Sequence, residues 1–504
     1  MKNLLFKTLR FIFGSSVFLA IWALHAFWVC KNQTLNSDLL YLESLYTDVI
    51  SLQRPIGRFI FTEAMFLFPD FALYSLVRHF FAQPLEALVA YITAFDLVFF
   101  AALYWAFRTV YSRSTSFFVY LLLLVTTLLL GFLAPDYRHV AFLPNHHGFL
   151  QVLFLITFVM VLNQKWPYLI VFGLTFLAAF SDLLSIPSIF LPAALVLSTL
   201  KQTRGRAWTI FAAFTLAYLT NQILIYTHHM VSLPFPFTLG EGYESRMKIA
   251  ESFQYFPASL PGILKRNAYV FFGAVFMTWW LKEEHGSLDR KTFLAYSGLS
   301  ILLTSVALMA MGRWPSIDAN LRYIQQFSYA PIFWISLFSV PRLSISKASI
   351  HLLLSMGLST LLYMAAPWEE NPEALWQKPL VSQCLDLHAA ELPTPWGLGG
   401  YYIAKVVTFT SHAQVYVNQV KPNFSAYPWM ISPEWFRQDI HKREIGNYSF
   451  MIARNKAEAA KATDYWGKPK RQIACAPESP EDNPIVMIYP SGIQPGEWDL
   501  SPAD

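Results

Sequence analysis

Charged side chains are scarce in this chain: Asp, Glu, Lys and Arg supply 14% of 504 residues, against 55% hydrophobic residues and a mean hydropathy of +0.39. Soluble globular proteins carry about 25% charged residues, so that class is excluded. Cysteine is scarcer still, and three of them rule out both a cysteine-rich metal cluster and a small disulfide scaffold. Glycine is low as well, with 21 residues beside 44 phenylalanines and 17% aromatics overall, a composition that rules out disorder. The net charge of +5 comes without an arginine-rich run or a basic helix interleaved with stacking aromatics, so nucleic acid is not an expected partner. Also missing are a P-loop, a G-x-G-x-x-G turn, a serine nucleophile elbow and an H-E-x-x-H pair. ATP-driven transport, dinucleotide chemistry and zinc proteolysis lose their support with them. No fixed-period repeat and no inverted halves stand out. What the chain does have is long apolar runs, and its first partner is therefore the lipid bilayer.

A hydrocarbon core of about 30 Å needs roughly 20 apolar residues per helix. On that ruler the sequence predicts about eleven spans, at 11–30, 85–107, 115–134, 148–163, 167–181, 186–200, 207–226, 268–281, 292–311, 329–341 and 348–365. The expected fold class is an α-helical polytopic membrane protein. The first run follows Lys2, Lys7 and Arg10 but has no small-x-small cleavage site, and it reads as a retained anchor. Connections on the N-terminal side carry 14 Lys and Arg in 42 residues, whereas those on the opposite side carry 11 in 129. Short positive loops stay cytoplasmic. The N-terminus is thus expected inside and the C-terminus outside, with the protein in the plasma membrane, the inner one where a cell has two.

Residues 366–504 are then an extracytoplasmic, or periplasmic, domain following a transmembrane domain over 1–365. Pro, Asp, Glu and Lys become frequent after Trp368, and 401–410, 413–420 and 484–489 read as strands separated by turn residues. A small α/β or mostly β domain is expected. Cys384 and Cys475 both fall in it, on the oxidising side of the membrane, so a disulfide between them is expected, closing a loop of roughly 90 residues and contributing ~4 kcal/mol in the chain-entropy model. Two unpaired thiols are the bland alternative.

Ionisable groups near membrane depth are costly unless paired or wet, so they mark candidate sites. Nearly all the suggestive ones fall on the outer side. In the first outer connection, 31–84, Leu39, Leu42, Leu45 and Val49 recur at helical spacing, and Phe59, Met65, Phe66 and Phe68 belong to a second apolar segment. Two helices lying in the interface account for this pattern. Asp38, in Ser37, Asp38, Leu39, Leu40, Tyr41, is a candidate general base or metal ligand; capping of the following helix is the alternative. Asp70, after Phe68 and Pro69, has the same two readings.

The third connection holds Asp136, Arg138, His146 and His147, where imidazoles can shuttle protons or donate to phosphate. Consecutive histidines point in different directions, which disfavours a zinc site. Asp182 stands in a tight outer turn before Pro187. The 227–267 connection, with Gly240 and Gly242, has the length and glycine content of a loop that covers a site. Arg322 and Tyr323 precede the tenth span, and a guanidinium there suits phosphate recognition, with snorkelling to head groups as its alternative. Asp96 is the clearest carboxylate inside a span.

A chain with an acid just beyond the first span, a long first outer connection and an extracytoplasmic C-terminal domain resembles the GT-C superfamily of integral-membrane glycosyltransferases. The residues that carry the resemblance are Asp38 in Ser-Asp-Leu-Leu-Tyr and, more loosely, Asp70 and the Arg322, Tyr323 pair. The family's second acid beside the first is replaced here by Leu39. The resemblance implies an enzyme that moves a sugar from a polyprenyl-phosphate donor to an extracytoplasmic acceptor. It implies Asp38, Asp70 and Asp182 as catalytic residues and Arg138, His146, His147, Arg322 and Tyr323 as substrate-binding ones. Any divalent metal ion would fall to Asp38 and Asp70. A transporter or flippase of lipid-linked sugars, or a polysaccharide-binding scaffold, remains the alternative.

Overall fold

The computed structural model describes residues 2–32, 35, 37–62, 64–111, 117–133, 147–163, 166–199, 201–227, 231–232, 250–251, 253–261, 288–310, 325–338, 378–475 and 483–498. The chain divides into two compact units. One comprises Met1–Val29, Ile92–Asn221 and Pro234–Glu369; the other comprises Cys30–Tyr91, Gln222–Leu233 and Glu370–Asp504. The first outer connection, expected with the transmembrane part, is thus grouped with the C-terminal segment, for reasons given by its hydrogen bonds below.

The apolar runs form helices. Pro84–Val110, Arg204–Ile225 and Lys291–Ala310 are long and apolar enough to cross a membrane, and Gly14–Phe27, Val119–Leu128, Phe149–Leu162, Tyr168–Ser181, Ile186–Thr199 and Tyr329–Phe338 are shorter apolar helices. The expected spans at 268–281 and 348–365 lie outside the described residues. In the first unit Phe149–Leu162 is buried almost all round, twelve of its fourteen residues being inaccessible, which marks it as an inner helix. Phe154 stacks on Tyr296 at 4.5 Å and meets Tyr329 at 5.1 Å, while Phe158 meets Phe293 edge-on at 4.9 Å. Between helices, Thr127 Oγ1 donates to Ser336 Oγ at 2.8 Å and Trp22 Nε1 to the Thr93 carbonyl at 3.1 Å, the polar ties expected where no water competes.

The second unit is built on a seven-stranded mixed sheet. A two-stranded parallel pair, β1 (Ile60–Phe61) and β2 (Val231–Ser232), precedes it in sequence. The sheet contains β3 (Trp396–Gly400), β4 (Tyr416–Val420), β5 (Ser425–Ala426), β6 (Tyr448–Ala453), β7 (Arg471–Ala474), β8 (Ile485–Ile493) and β9 (Gly496–Trp498), in the order β7-β8-β6-β3-β4-β5-β9. Both faces are covered, as the side-chain alternation of β6 and β8 requires. Phe450, Ile452, Val486 and Ile488 join one core with Ala404, Val407 and Val381; Met451, Ala453, Ile485 and Met487 join the other with Ala459 and Ala462. The domain is therefore α/β, one of the two expected classes. Gly397 is obligatory in β3, because a Cβ there would stand 2.1 Å from the Phe450 ring. Cys384 and Cys475 are joined, their Cα atoms 5.4 Å apart.

Two local expectations are corrected. Tyr401–Thr410 is a helix rather than a strand. Its β-branched run misleads, but β3 and β4 pair in parallel, and parallel neighbours need a crossover between them. Ala404 and Val407, three apart, face the sheet, and Thr408 Oγ1 donates to the Val417 carbonyl at 3.1 Å. The segment around Phe59 is also not a continuous helix: one 3-10 turn at Ile56–Arg58 gives way to extended chain at β1, where the Ile60 amide donates to the Ile431 carbonyl at 3.1 Å. Helical structure resumes with a wide turn at Leu67–Phe71, which contains Pro69, and continues at Ala72–Arg78.

Candidate functional site: Asp38 and the groups around it

Residues 37 to 45 lead into the short helix Tyr41–Tyr46, and all of them are buried except Asp38, which reaches solvent in part. Leu39, Leu42 and Leu45 pack inward, as their spacing predicts. No side chain caps the helix; Asp38 contributes its carbonyl, which accepts from the Tyr41 amide at 3.2 Å. The capping role is therefore not what holds this carboxylate. Its Oδ1 accepts instead from the Tyr401 hydroxyl at 2.5 Å, and the neighbouring Ser37 hydroxyl donates to the Tyr401 carbonyl.

Tyr401 opens the crossover helix after Gly400, and Lys405 follows one turn later on the same face. The Lys405 ammonium stands 5.3 Å from the centroid of the Tyr401 ring, is buried at 2% exposure, and its Nζ has no hydrogen-bond partner among the described residues. Burial pushes Lys405 down to about 7, with the Asp38 carboxylate pulling it back up. Burial and then the Asp38 charge hold the Tyr401 hydroxyl well above its usual range, so it remains a donor. Tyr401 also meets Tyr427 at 6.0 Å and Met430 Sδ at 3.0 Å.

Asp70 lies in the same unit, 3% exposed, and accepts from the Tyr91 hydroxyl at 3.0 Å. Tyr41, whose hydroxyl donates to the Met65 carbonyl at 2.7 Å, is raised by burial and then by the Asp70 charge. Glu43, between the two acids in sequence, is gripped by Arg78 at 2.9 and 3.2 Å and by the Tyr74 hydroxyl at 2.5 Å.

Asp48 fastens the first connection to the C-terminal sheet domain. Its Oδ1 accepts from Trp435 Nε1 at 2.7 Å and Arg54 Nη1 at 2.8 Å, and its Oδ2 from the Ser432 amide at 3.1 Å. Arg54 continues to Gln438 at 3.2 Å, and Arg58 reaches Glu434 at 2.6 Å. These bonds explain why 31–84 belongs with the C-terminal segment.

Asp182 falls in the other unit, at the C-terminal end of Tyr168–Ser181. It pairs with His147, Nδ1 to Oδ2 at 2.6 Å, and its Oδ1 accepts from the Leu184 amide at 3.0 Å. His147 occupies the left-handed region, φ 65°, a conformation that L side chains rarely adopt. In the same unit Asp96, fully buried, pairs with His25 Nδ1 at 2.9 Å. Arg138, His146, Arg322 and Tyr323 lie outside the described residues, as do 233–249 of the connection read as a covering loop. Among the described residues no three or more His, Cys, Asp or Glu side chains gather as metal ligands would.

No protein-family model, no curated protein and no solved structure matches the chain. Sequence reasoning missed Tyr401, Lys405, Asp48 and Trp435. A signal existed for Lys405, the one charge in the apolar run 401–410, but a strand would have turned it to the surface.

Proposed function

We propose that this chain is an integral-membrane glycosyltransferase of the GT-C kind, with about eleven spans, its N-terminus cytoplasmic and its sheet domain extracytoplasmic. The supporting observation is Asp38: a carboxylate in partial contact with solvent, in a stretch otherwise buried, and aimed by the Tyr401 hydroxyl at 2.5 Å. A general base needs that combination of access and fixed orientation. In the reaction, Asp38 takes the proton of an acceptor hydroxyl as its oxygen bonds to the anomeric carbon of the donor sugar. The bond from that carbon to the phosphate oxygen breaks, and the polyprenyl phosphate leaves with the electron pair. Within its own unit Asp182 orients His147, Nδ1 to Oδ2 at 2.6 Å. Asp70, hydrogen-bonded to Tyr91 and buried, would support the Asp38 segment.

The test is mass spectrometry of lipid-linked sugars and cell-surface glycans in cells that lack the protein and in cells complemented with Asp38→Asn. Accumulated donor and a missing sugar, restored by wild type only, are expected; unchanged glycans would end the proposal. A reporter fused after Trp368 should be active outside the cytoplasm only.

One observation favours a second reading. The buried His25 and Asp96 pair, inside apolar helices, is the kind of ionisable couple that proton-linked transporters use. Proton uptake by reconstituted vesicles, abolished by Asp96→Asn and indifferent to Asp38→Asn, would move the assignment to transport.

A further inference from the structure

We propose that the groups around Tyr401 and Tyr427 form the acceptor subsite, and that the acceptor is a sugar ring whose hydroxyls pair with Lys405 Nζ and Gln419 Oε1. The inference rests on the reading of Asp38 as the base and adds the chemical class of the acceptor. It starts from two polar atoms that the fold leaves without a partner. Lys405 Nζ and Gln419 Oε1 make no hydrogen bond among the described residues, although their residues are only 2% and 1% exposed. Buried polar groups in folded proteins are nearly always paired, so each of these marks a place for something that is bound. The orientation of the Gln419 amide is fixed. Its Nε2 donates to the Trp429 carbonyl, which can only accept, so Oε1 is the atom left over.

Direct contacts gather these groups round two rings, Tyr401 and Tyr427, whose centroids are 6.0 Å apart. On the Tyr401 side, Lys405 Nζ stands 5.3 Å from the ring centroid and the hydroxyl reaches Asp38 at 2.5 Å. On the Tyr427 side, the amide donates to the Gln419 carbonyl at 3.0 Å and the ring stacks on Trp429 at 5.9 Å, 12° from parallel. The register of helix and strand agrees. Thr408 Oγ1 is bonded to the Val417 carbonyl at 3.1 Å and to its amide at 3.0 Å. Lys405 lies nearly one turn back on the same helix face, and Gln419 two residues on along the same strand face, so both stand toward the carboxyl edge of β3 and β4. That edge is where α/β sheets take their ligands. Tyr401 and Trp429 are half-buried and open the group to solvent. An amine that donates, an amide oxygen that accepts and flat aromatic faces suit a sugar, which has C–H faces for the rings and hydroxyls that both donate and accept. A phosphodiester brings acceptors alone and would leave Gln419 Oε1 unpaired; an apolar chain would leave both atoms so. Because Tyr401 borders Lys405 and Asp38 alike, a sugar seated here has its hydroxyls beside the base.

The experiment uses the full chain in lipid nanodiscs and follows thermal unfolding in glucose, galactose, mannose, N-acetylglucosamine and arabinose, each titrated alone. A ligand that binds the folded state raises the unfolding midpoint by mass action. Lys405→Met removes the amine at constant volume and breaks no hydrogen bond of the free protein, so it keeps the fold. Gln419→Leu is the second variant. At least one of the sugars should raise the midpoint of wild type beyond its effect on either variant, and the affinity for that sugar should fall by about tenfold in Lys405→Met, the loss expected for one hydrogen bond to a charged group. An equal rise in all three proteins is the general exclusion of solutes from protein surfaces, and it overturns the inference. So does the absence of any rise in wild type. The glycosyltransferase reading fails separately, through unchanged glycans with Asp38→Asn, so the two can be told apart.

Discussion

The Tyr401 hydroxyl donates to Asp38 Oδ1 at 2.5 Å, across 363 positions of sequence. One partner opens a crossover helix of the sheet domain, and the other stands before the short helix Tyr41–Tyr46. A tyrosine kept protonated by burial and by the carboxylate itself is a fixed donor. It restrains the Asp38 side chain.

Asp38→Asn keeps size and an acceptor oxygen for Tyr401 but removes basicity. Glycan transfer is expected to fall by roughly 10²–10⁴-fold while thermal unfolding moves little. Tyr401→Phe removes the donor and leaves the base, so it should lower stability by about 1 kcal/mol and lower transfer, by less than Asp38→Asn does. A Tyr401→Phe variant as inactive as Asp38→Asn would show that the phenol is more than a restraint.

Asp48 is the strongest tie between the first connection and the sheet domain, accepting from Trp435, Arg54 and the Ser432 amide. Asp48→Ala strands buried donors and should cost about 3 kcal/mol, with faster deuterium exchange over 47–54. Trp435→Phe removes one donor and keeps the ring, for about 1–2 kcal/mol. Because both variants cut the same bond, the double variant should cost less than their sum. Denaturant unfolding of the purified chain reads all three.

Lys405 gives a stability prediction with a definite sign. Burial takes it down from the ordinary 10.5 to about 7, so the folded state releases this proton more readily than the unfolded one. Its contribution is present above the unfolded value and is lost as pH falls through about 7. Wild type should therefore gain stability between about pH 7 and 10, and Lys405→Met should lack that component and be the more stable at pH 6. Parallel pH dependences of the two unfolding midpoints would contradict the burial of a titrating amine.

How much of this was legible in the sequence follows from which signals are local. Apolar runs of span length are local, and the helices Pro84–Val110, Phe149–Leu162 and Tyr168–Ser181 stand where hydropathy puts them. So does the Cys384, Cys475 pair, read from compartment and count. The crossover helix was not legible, because Val406, Val407 and Thr408 favour a strand locally and only the parallel pairing of β3 with β4 makes a helix necessary. Asp38 and Asp70 stood out as acids among apolar neighbours. Their partners Tyr401 and Tyr91 did not, since a tyrosine in an aromatic-rich chain carries no mark of its role. The Asp48 and Trp435 contact spans 387 positions and no single-chain pattern announces it.

Glu43 and Arg78 supply the last test. Glu43 is nearly inaccessible, and burial raises its carboxyl against the bonds from Arg78 and Tyr74 that oppose the shift. A raised carboxylate contributes stability that is full below the unfolded value of about 4.3 and is lost as pH rises through the folded value. Arg78→Met removes the cation and raises Glu43 further, so the deficit must grow with pH. We expect about 3 kcal/mol of destabilisation at pH 7, at the low end for a broken buried pair because Arg78 partly reaches solvent. The deficit should shrink steadily as pH falls toward 4.5. Adding Glu43→Gln removes the uncompensated charge while leaving Tyr74 an acceptor, and should recover most of the loss at pH 7 with little pH dependence. A deficit in Arg78→Met that is the same at pH 5 and pH 7, or a double variant no more stable than the single one, would mean that Arg78 acts through packing against Tyr46, whose ring centroid lies 5.3 Å away, and not through the Glu43 charge.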